Sequence, residues 1–270
     1  MPFTTRERHR IHYTTHGERS SPALLLVMGM GLSSRGWGAL PEKLAQHFFV
    51  ITFDNRGTGY SGTRLGFLRM REMAEDAVAV LDAVGVPGAN VFGISMGGMI
   101  AQELALRHPE RVRALALGAT HASYLVSRKP SLRAMVDFVS VVARGRRNRP
   151  GVIGRLLTTP AFVAANPDVV GAWFLRGDHA RPLAALTQLT AIMGHHTSGR
   201  LKQIACPTLI LSGDQDRLVP VENAYALARL IPDAKLLVLR GAGHVFPLEQ
   251  EEQTARALVE HFLGSVSGAR

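Results

Sequence analysis

The stretch of sequence that decides the fold reads Asn90-Val-Phe-Gly-Ile-Ser-Met-Gly-Gly98. Its first residues form a short apolar run typical of a buried strand, and a helical pattern follows over residues 96–107. Ser95 therefore lies in a sharp turn from strand to helix, between Gly93 and Gly97. Such a turn needs small neighbours and exposes the serine hydroxyl at the end of the sheet. The pattern predicts Ser95 as a catalytic nucleophile, the alternative being a structural serine in a tight turn.

A serine hydroxyl is a weak nucleophile and needs a base within hydrogen-bonding reach. The sequence has eleven histidines, and His244 is the best placed of them. It lies in Gly241-Ala-Gly-His244, after an apolar run at 234–239 and before the last helical pattern. That loop is expected at the same edge of the sheet as Ser95, so His244 is the predicted base.

The third member of such a site is a carboxylate that fixes the histidine tautomer. Gly213-Asp-Gln-Asp216 follows the apolar run at 208–212. On spacing alone either Asp214 or Asp216 could serve, and the other could cap a turn through its side chain. The order Ser, Asp, His along the chain is the one expected for an architecture with such a strand-to-helix nucleophile turn.

An acyl-transfer site also needs N–H donors directed at the oxyanion. The backbone N–H of Met96, directly after the nucleophile, is the first predicted donor. The second is the N–H of Met30, in the loop Met28-Gly-Met-Gly31 that follows an apolar run at 22–28.

Apolar runs alternate with helical patterns along most of the chain, which predicts an α/β fold with a mostly parallel, doubly wound sheet. The predicted strands are 8–15, 22–28, 48–53, 90–94, 112–117, 208–212 and 234–239, and the predicted helices are 69–84, 96–107 and 248–263. Between 121 and 200 this alternation of strand and helix patterns stops, and five prolines interrupt the sequence. This segment is predicted to be several short helices inserted into the sheet.

Amino-acid composition and charge limit the expected cellular location and the expected partners of the protein. The 270 residues include one cysteine, Cys206, so an internal disulfide is excluded and a cytoplasmic location is expected. No apolar run is long enough for a transmembrane helix. Eight of the ten net positive charges fall in residues 121–200. This positive charge indicates either a solvated surface or a surface that attracts anionic substrates or an acidic membrane face. No nucleic-acid partner is expected, because no nucleic-acid-binding motif accompanies the charge.

Two further motifs bear on cofactor and metal binding. Gly57-Thr-Gly-Tyr-Ser-Gly62 matches a dinucleotide fingerprint, but residues 63–66 continue as a loop before the helical pattern begins near 69. His195 and His196 have no partners at metal-ligand spacing. No cofactor and no metal are therefore predicted.

The sequence resembles the α/β-hydrolase superfamily over about 22–120 and 205–262. The motifs that carry the resemblance are Met28-Gly-Met-Gly31, Asp54-Asn-Arg-Gly-Thr-Gly-Tyr-Ser61, Gly93-Ile-Ser-Met-Gly97, Gly213-Asp-Gln-Asp216 and Gly243-His244. The resemblance implies that Asp216, which is followed by a Val-Pro pair, supplies the acid. It also implies a helical cap at 121–200 on a core made of 1–120 and 201–270. Met28 stands where the family often has histidine before the first glycine of the oxyanion loop.

Together these features predict a serine hydrolase that cleaves a carboxylic ester or a related small acyl compound through an acyl-enzyme. The alternatives on the same scaffold are a lactonase, a thioesterase, a carbon–carbon bond hydrolase and a cofactor-free haloperoxidase. A non-catalytic ligand-binding receptor and a basic adaptor for nucleic acid or membranes are the alternatives of other classes. The sequence indicates no oligomeric state.

Overall fold

The computed structural model describes residues 2–7, 9–63, 66–144, 150–169, 180 and 182–264. Eight strands among them form one sheet in the order β1-β2-β4-β3-β5-β6-β7-β8. The strands are β1 Phe3–Arg6, β2 His9–His16, β3 Ala23–Val27, β4 Phe49–Phe53, β5 Ala89–Ile94, β6 Val112–Gly118, β7 Thr208–Gly213 and β8 Lys235–Leu239. β3 to β8 are parallel, and β1 and β2 add an antiparallel edge.

The described helices lie between and after these strands. They are α1 Leu40–Leu44, α2 Met70–Val84, α3 Met96–Arg107, α4 Leu132–Arg144, α5 Pro150–Leu157, α6 Pro160–Ala165, α7 Pro182–Met193, α8 Glu222–Leu230, α9 Phe246–Glu249 and α10 Glu251–Gly264. Short 3₁₀ helices cover Ser34–Trp37, Pro109–Arg111 and Leu201–Gln203. No described helix is long and apolar enough to cross a membrane.

Helices cover both faces of the sheet, and the side chains of each central strand divide between two cores. Leu25 and Val27 of β3 pack on the face that α2, α3 and α8 cover. Leu24 and Leu26 point to the other face, with α1 and α10. Every residue of β3, β4 and β5 is buried, which explains why these strands have continuous apolar sequences rather than alternating ones.

The predicted α/β architecture with a mostly parallel, doubly wound sheet is confirmed. The predicted final helix is divided into α9 and α10, while β1, α1 and α8 were not predicted. β1 has the sequence Phe-Thr-Thr-Arg, which shows little apolar character and is held by its pairing with β2.

The segment between β6 and β7 contains α4 to α7. Its two ends meet in an isolated antiparallel bridge between Ser123 and His196, and the N–H of Thr197 donates to the Ala122 carbonyl at 2.8 Å. The described parts of 121–200 contain no strand of the main sheet. Six of the charges assigned to this segment, Arg146, Arg147, Arg149, Arg176, Asp178 and Arg181, lie outside the described residues.

Candidate active site

The order of the strands places the candidate site at a reversal in the sheet. β3 pairs with β4 on one side and with β5 on the other, so the loops after β3 and β5 leave the sheet in opposite directions. A crevice at the carboxyl ends of parallel strands is where ligands bind in open α/β sheets. The loops carrying Ser95, Asp216 and His244 all follow carboxyl ends, those of β5, β7 and β8.

Ser95 occupies the turn between β5 and α3 with a strained backbone. Its φ of 56° and ψ of −122° lie in a region that L-amino acids other than glycine rarely adopt. The Ser95 N–H donates to the Gly118 carbonyl at 2.8 Å, and the Thr120 hydroxyl donates to the Ser95 carbonyl at 2.7 Å. These hydrogen bonds from β6 and its following loop stabilise the strained turn.

The two glycines that flank Ser95 are required by close approach of the backbone. A Cβ atom on Gly93 would overlap the Gly97 carbonyl, and one on Gly97 would overlap the Val27 carbonyl of β3. The strand, the helix and the neighbouring strand can therefore pack this closely only where side chains are absent, as the sequence pattern predicted.

His244 and Asp216 are brought together by the loops after β8 and β7. The Nδ1 atom of His244 lies 2.8 Å from Asp216 Oδ2, and both side chains are almost fully buried. The second oxygen of Asp216 accepts the N–H groups of Leu218 and Val219, each at 2.8 Å. Both carboxylate oxygens are thus fixed, and the orientation of the imidazole is fixed with them.

Asp214, the alternative acid, has a different contact. Its Oδ1 atom accepts the N–H of Gly241 at 2.8 Å in an exposed part of the loop. The sequence left open which aspartate binds the histidine and which caps a turn, and Asp216 does both. One of its oxygens contacts His244 and the other caps the turn at Leu218 and Val219, whereas Asp214 joins the loop after β7 to the loop after β8.

Ser95 and His244 both line one cavity of about 430 Å³ between the carboxyl edge of the sheet and the inserted helices. Met30 lines the same cavity. Met96 is buried and is not among the lining residues. As the first residue of α3, however, it has a backbone N–H without a partner inside the helix. The structure therefore places three of the five predicted residues, Ser95, His244 and Met30, on the cavity wall. Asp216 lies behind His244, and Met96 is the buried residue that follows Ser95.

The loop containing Met30 is held by a side chain that sequence reasoning missed. Gln188 of α7 is fully buried, and its Oε1 atom accepts the Gly31 N–H at 2.8 Å. Its amide nitrogen donates to the Arg56 carbonyl at 2.7 Å. Gln188 thus ties the inserted helices to the loops after both β3 and β4. The single amide side chain of α7, among apolar residues and two threonines, was the one signal of this role.

The glycine-rich segment after β4 forms a closed loop around Asp54. This carboxylate accepts hydrogen bonds from the backbone and hydroxyl of Ser34, the N–H of Tyr60 and the imidazole of His12. α2 begins only at Met70, so Gly57-Thr-Gly-Tyr-Ser-Gly62 does not lead directly into a helix. This geometry differs from that of a dinucleotide fingerprint.

Two buried histidines lie where the inserted segment joins the core. Burial lowers the pKa of His195 to about 3, and burial together with the charge of Lys129 lowers the pKa of His121 to about 4. Gln102 of α3 donates to the His121 carbonyl at 3.1 Å and accepts the Thr197 hydroxyl at 2.6 Å. Both imidazoles are neutral near pH 7, as their burial requires.

The described residues contain no group of three or more histidine, cysteine or acidic side chains arranged to hold a metal ion. His195 and His196 have separate contacts, His195 with Gln102 and His196 with the Ser123 hydroxyl.

Comparison with known proteins identifies similar sequences and folds. The model of the family described as alpha/beta hydrolase fold matches residues 22–148 and 166–251, which reaches further into 121–200 than the motifs alone indicated. The chain is 31% identical over 248 residues to a pimeloyl-(acyl-carrier protein) methyl ester esterase of Chromobacterium violaceum, covering 89% of this chain and 94% of the relative.

A second relative is 3-oxoadipate enol-lactonase 2 of Acinetobacter baylyi, 29% identical over 244 residues, with 90% of this chain and 89% of the relative covered. The crystal structure of the enol-lactonase from Burkholderia xenovorans LB400 superposes with a TM-score of 0.88 at 23% identity, covering 97% of this chain and all of the other. That structural similarity concerns the fold.

Proposed function

Because the chain belongs to the α/β-hydrolase fold family, we propose that it hydrolyses a carboxylic ester or a related acyl compound, with Ser95, His244 and Asp216 as its catalytic triad. The observation that carries the proposal is the 2.8 Å contact between His244 Nδ1 and Asp216 Oδ2, beside a cavity that His244 shares with Ser95. An imidazole held in this way has its other nitrogen available as a base.

In the proposed reaction the Ser95 hydroxyl attacks the acyl carbon while His244 accepts its proton. The carbonyl oxygen becomes an oxyanion, which the N–H groups of Met96 and Met30 stabilise. Collapse of the tetrahedral intermediate expels the leaving group, which takes the proton from His244. Water then attacks the acyl-enzyme with the same histidine as base, releasing the carboxylic acid and restoring Ser95.

The residues around the triad support these roles. The strained turn at Ser95 directs the hydroxyl away from the sheet, and the N-terminus of α3 contributes a positive dipole end beside the developing negative charge. Gln188 holds the Gly31 N–H and thereby fixes the loop that presents Met30. In this proposal residues 121–200 act as a cap that covers the cavity and selects the substrate.

Hydrolysis of a cyclic ester is the second candidate function. It is favoured by the 29% identity to the Acinetobacter baylyi enol-lactonase over nearly the whole of both chains. A lactone differs from a linear ester in that the leaving group stays attached to the acyl-enzyme, so the same triad serves both reactions.

A panel of p-nitrophenyl esters, thioesters and lactones tests the proposal with wild type, Ser95→Ala and Ser20→Ala. Ser20 is an exposed serine that is not among the lining residues of the cavity, so it serves as the matched control. We expect turnover by wild type and Ser20→Ala, and a loss of at least about a thousandfold in Ser95→Ala. Ligand binding without turnover by the wild-type protein would instead favour a receptor.

A further inference from the structure

The cavity beside Ser95 combines apolar walls with an unbalanced positive charge. Its described lining residues include two cations, Arg128 and Lys129, and no aspartate or glutamate. Most of the remaining wall is apolar, with contributions from α4, α5 and α7 such as Met135, Phe138, Val142, Ile153, Leu156 and Leu189. A cation in such surroundings is costly unless an anion accompanies it.

Lys129 is a half-buried cation whose charged end is covered by its neighbours. Its Nζ atom is shielded from solvent and has no hydrogen-bond partner among the described residues. The nitrogen lies 3.7 Å from the centroid of the Tyr124 ring, which attracts the charge but accepts none of the three N–H groups as a carboxylate would. Burial lowers the pKa of Lys129, as expected for an ammonium group without a neutralising partner.

The fold fixes the backbone at this position. The Arg128 N–H donates to Asn223 Oδ1 at 2.8 Å, and the Asn223 amide returns a hydrogen bond to the Arg128 carbonyl at 3.0 Å. Asn223 is buried in α8 of the core. The segment carrying Lys129 is therefore anchored to the core, so that its side chain starts from a fixed position on the cavity wall.

Other cations near this part of the chain are paired or exposed. Arg200 forms an ion pair with Glu103, and Arg133 is exposed on α4. His121, which also lines the cavity, is neutral near pH 7 because its pKa is lowered to about 4. Lys129 thus differs from the basic surface as a whole.

We propose that Lys129 binds a carboxylate of the substrate, so that the enzyme prefers acyl compounds combining an apolar body with a terminal negative charge. This inference rests on the proposed function, because it assigns a substrate class to the same cavity. The apolar walls accommodate the body of the substrate. The half-buried Lys129 side chain turns its ammonium from the Tyr124 ring toward the cavity that the residue lines, and its N–H groups then receive the carboxylate oxygens. Charge-assisted hydrogen bonds of this kind are stronger than those between neutral groups.

The test compares pairs of p-nitrophenyl esters of increasing chain length, one with a terminal carboxylate and its partner with a terminal carboxamide. We expect kcat/KM of the wild type to favour the carboxylate by about tenfold to a hundredfold for at least one chain length. Lys129→Met removes this preference, and Lys129→Arg retains part of it. The matched control Lys202→Met, at an exposed lysine outside the cavity, keeps it fully.

The outcomes separate this inference from the proposed function. Hydrolysis of both esters with the same charge preference in wild type and Lys129→Met would overturn the inference alone. If the wild type hydrolyses neither ester, the proposed function fails, and calorimetric binding of octanoate and octanamide then tests Lys129 without turnover. Tighter binding of octanoate that is lost in Lys129→Met supports the carboxylate site, whereas equal binding of both compounds overturns it.

Discussion

The sheet and the segment inserted at 121–200 differ in how deeply their apolar residues are buried. All residues of β3, β4 and β5 are buried, and pairing with neighbouring strands fixes the points from which their loops start. The inserted segment exposes large apolar side chains, with Leu125 at 77% and Leu132 at 78% exposed. We infer that the sheet fixes the reacting groups, while the inserted segment adapts the cavity to a substrate.

The two regions are joined by a few polar contacts near the candidate site. Gln102 of α3 binds the His121 carbonyl and the Thr197 hydroxyl at the two ends of the segment. Gln188 of α7 binds the loops after β3 and β4. Substitutions at the strand ends should therefore abolish chemistry, whereas substitutions at these contacts should change stability and loop position.

The largest loss of activity is expected at Asp216, and its neighbour Asp214 in the same loop serves as the control. Asp216→Asn should lower kcat by roughly a thousandfold to ten-thousandfold, because an amide no longer holds His244 in the required tautomer. Asp214→Asn should retain nearly wild-type kcat, since an amide oxygen can still accept the Gly241 N–H that Asp214 accepts. Steady-state kinetics with one p-nitrophenyl ester measures both variants, and equal losses would contradict the assignment of the acid.

The junction between the regions should make the protein sensitive to acid. His121 and His195 bind protons near pH 6.5 when unfolded, but only near pH 4 and pH 3 when folded. The unfolded state therefore binds more protons in this window, so the free energy of unfolding should fall as the pH drops from 6.5 to 4. For His121 the loss is on the order of 3 kcal/mol.

The titratable groups that face these histidines are cationic or neutral. Lys129 faces His121, and His195 is faced by His121, His196 and Arg200. Urea unfolding at a series of pH values measures the slope. His195→Gln should reduce the slope, whereas His47→Gln, at an exposed histidine, serves as the control. An unchanged slope in His195→Gln would contradict the proposed origin of acid sensitivity.

An intermediate loss of stability and activity is expected when the contact between α7 and the loop of Met30 is removed. Gln188→Met keeps the size of the side chain but leaves the Gly31 N–H and the Arg56 carbonyl without their partner, which costs about 1–3 kcal/mol. We expect a lower Tm and roughly tenfold lower kcat/KM. Gln203→Met, at an exposed glutamine, is the control, and wild-type values for both quantities in Gln188→Met would contradict a positioning role.

The smallest change in stability is expected from relief of backbone strain in the core. Ser95→Gly places glycine at a φ of 56° and should raise the free energy of unfolding by about 1 kcal/mol while abolishing turnover. Urea denaturation measures the gain against Ser95→Ala, which keeps the strain. If Ser95→Gly is less stable than Ser95→Ala, the turn at Ser95 is not strained.

The sequence predicted the core closely because its strands are marked by continuous apolar runs. β5 was expected at 90–94 and spans Ala89–Ile94, and α3 spans the expected 96–107. The same regularity located the loops that carry Ser95 and His244. The choice between Asp214 and Asp216, however, depended on resemblance until the structure placed the Asp216 side chain against His244.

The inserted segment was predicted only in outline. Its short helices, interrupted by prolines, have no long periodic pattern from which bounds could be read. Gln188 acts on residues more than 130 positions away in the chain, and no local pattern reveals such a contact. Lys129 was likewise one of many basic residues, and only the packing around its Nζ distinguishes it.

The central claim is that Ser95 is a nucleophile activated by His244 and Asp216, and labelling with a small fluorophosphonate tests it most directly. Mass spectrometry of the wild-type protein should find a single adduct on Ser95. The adduct should be absent in Ser95→Ala and should form much more slowly in Asp216→Asn. An adduct on another residue, or no adduct on the folded wild-type protein, would contradict the account.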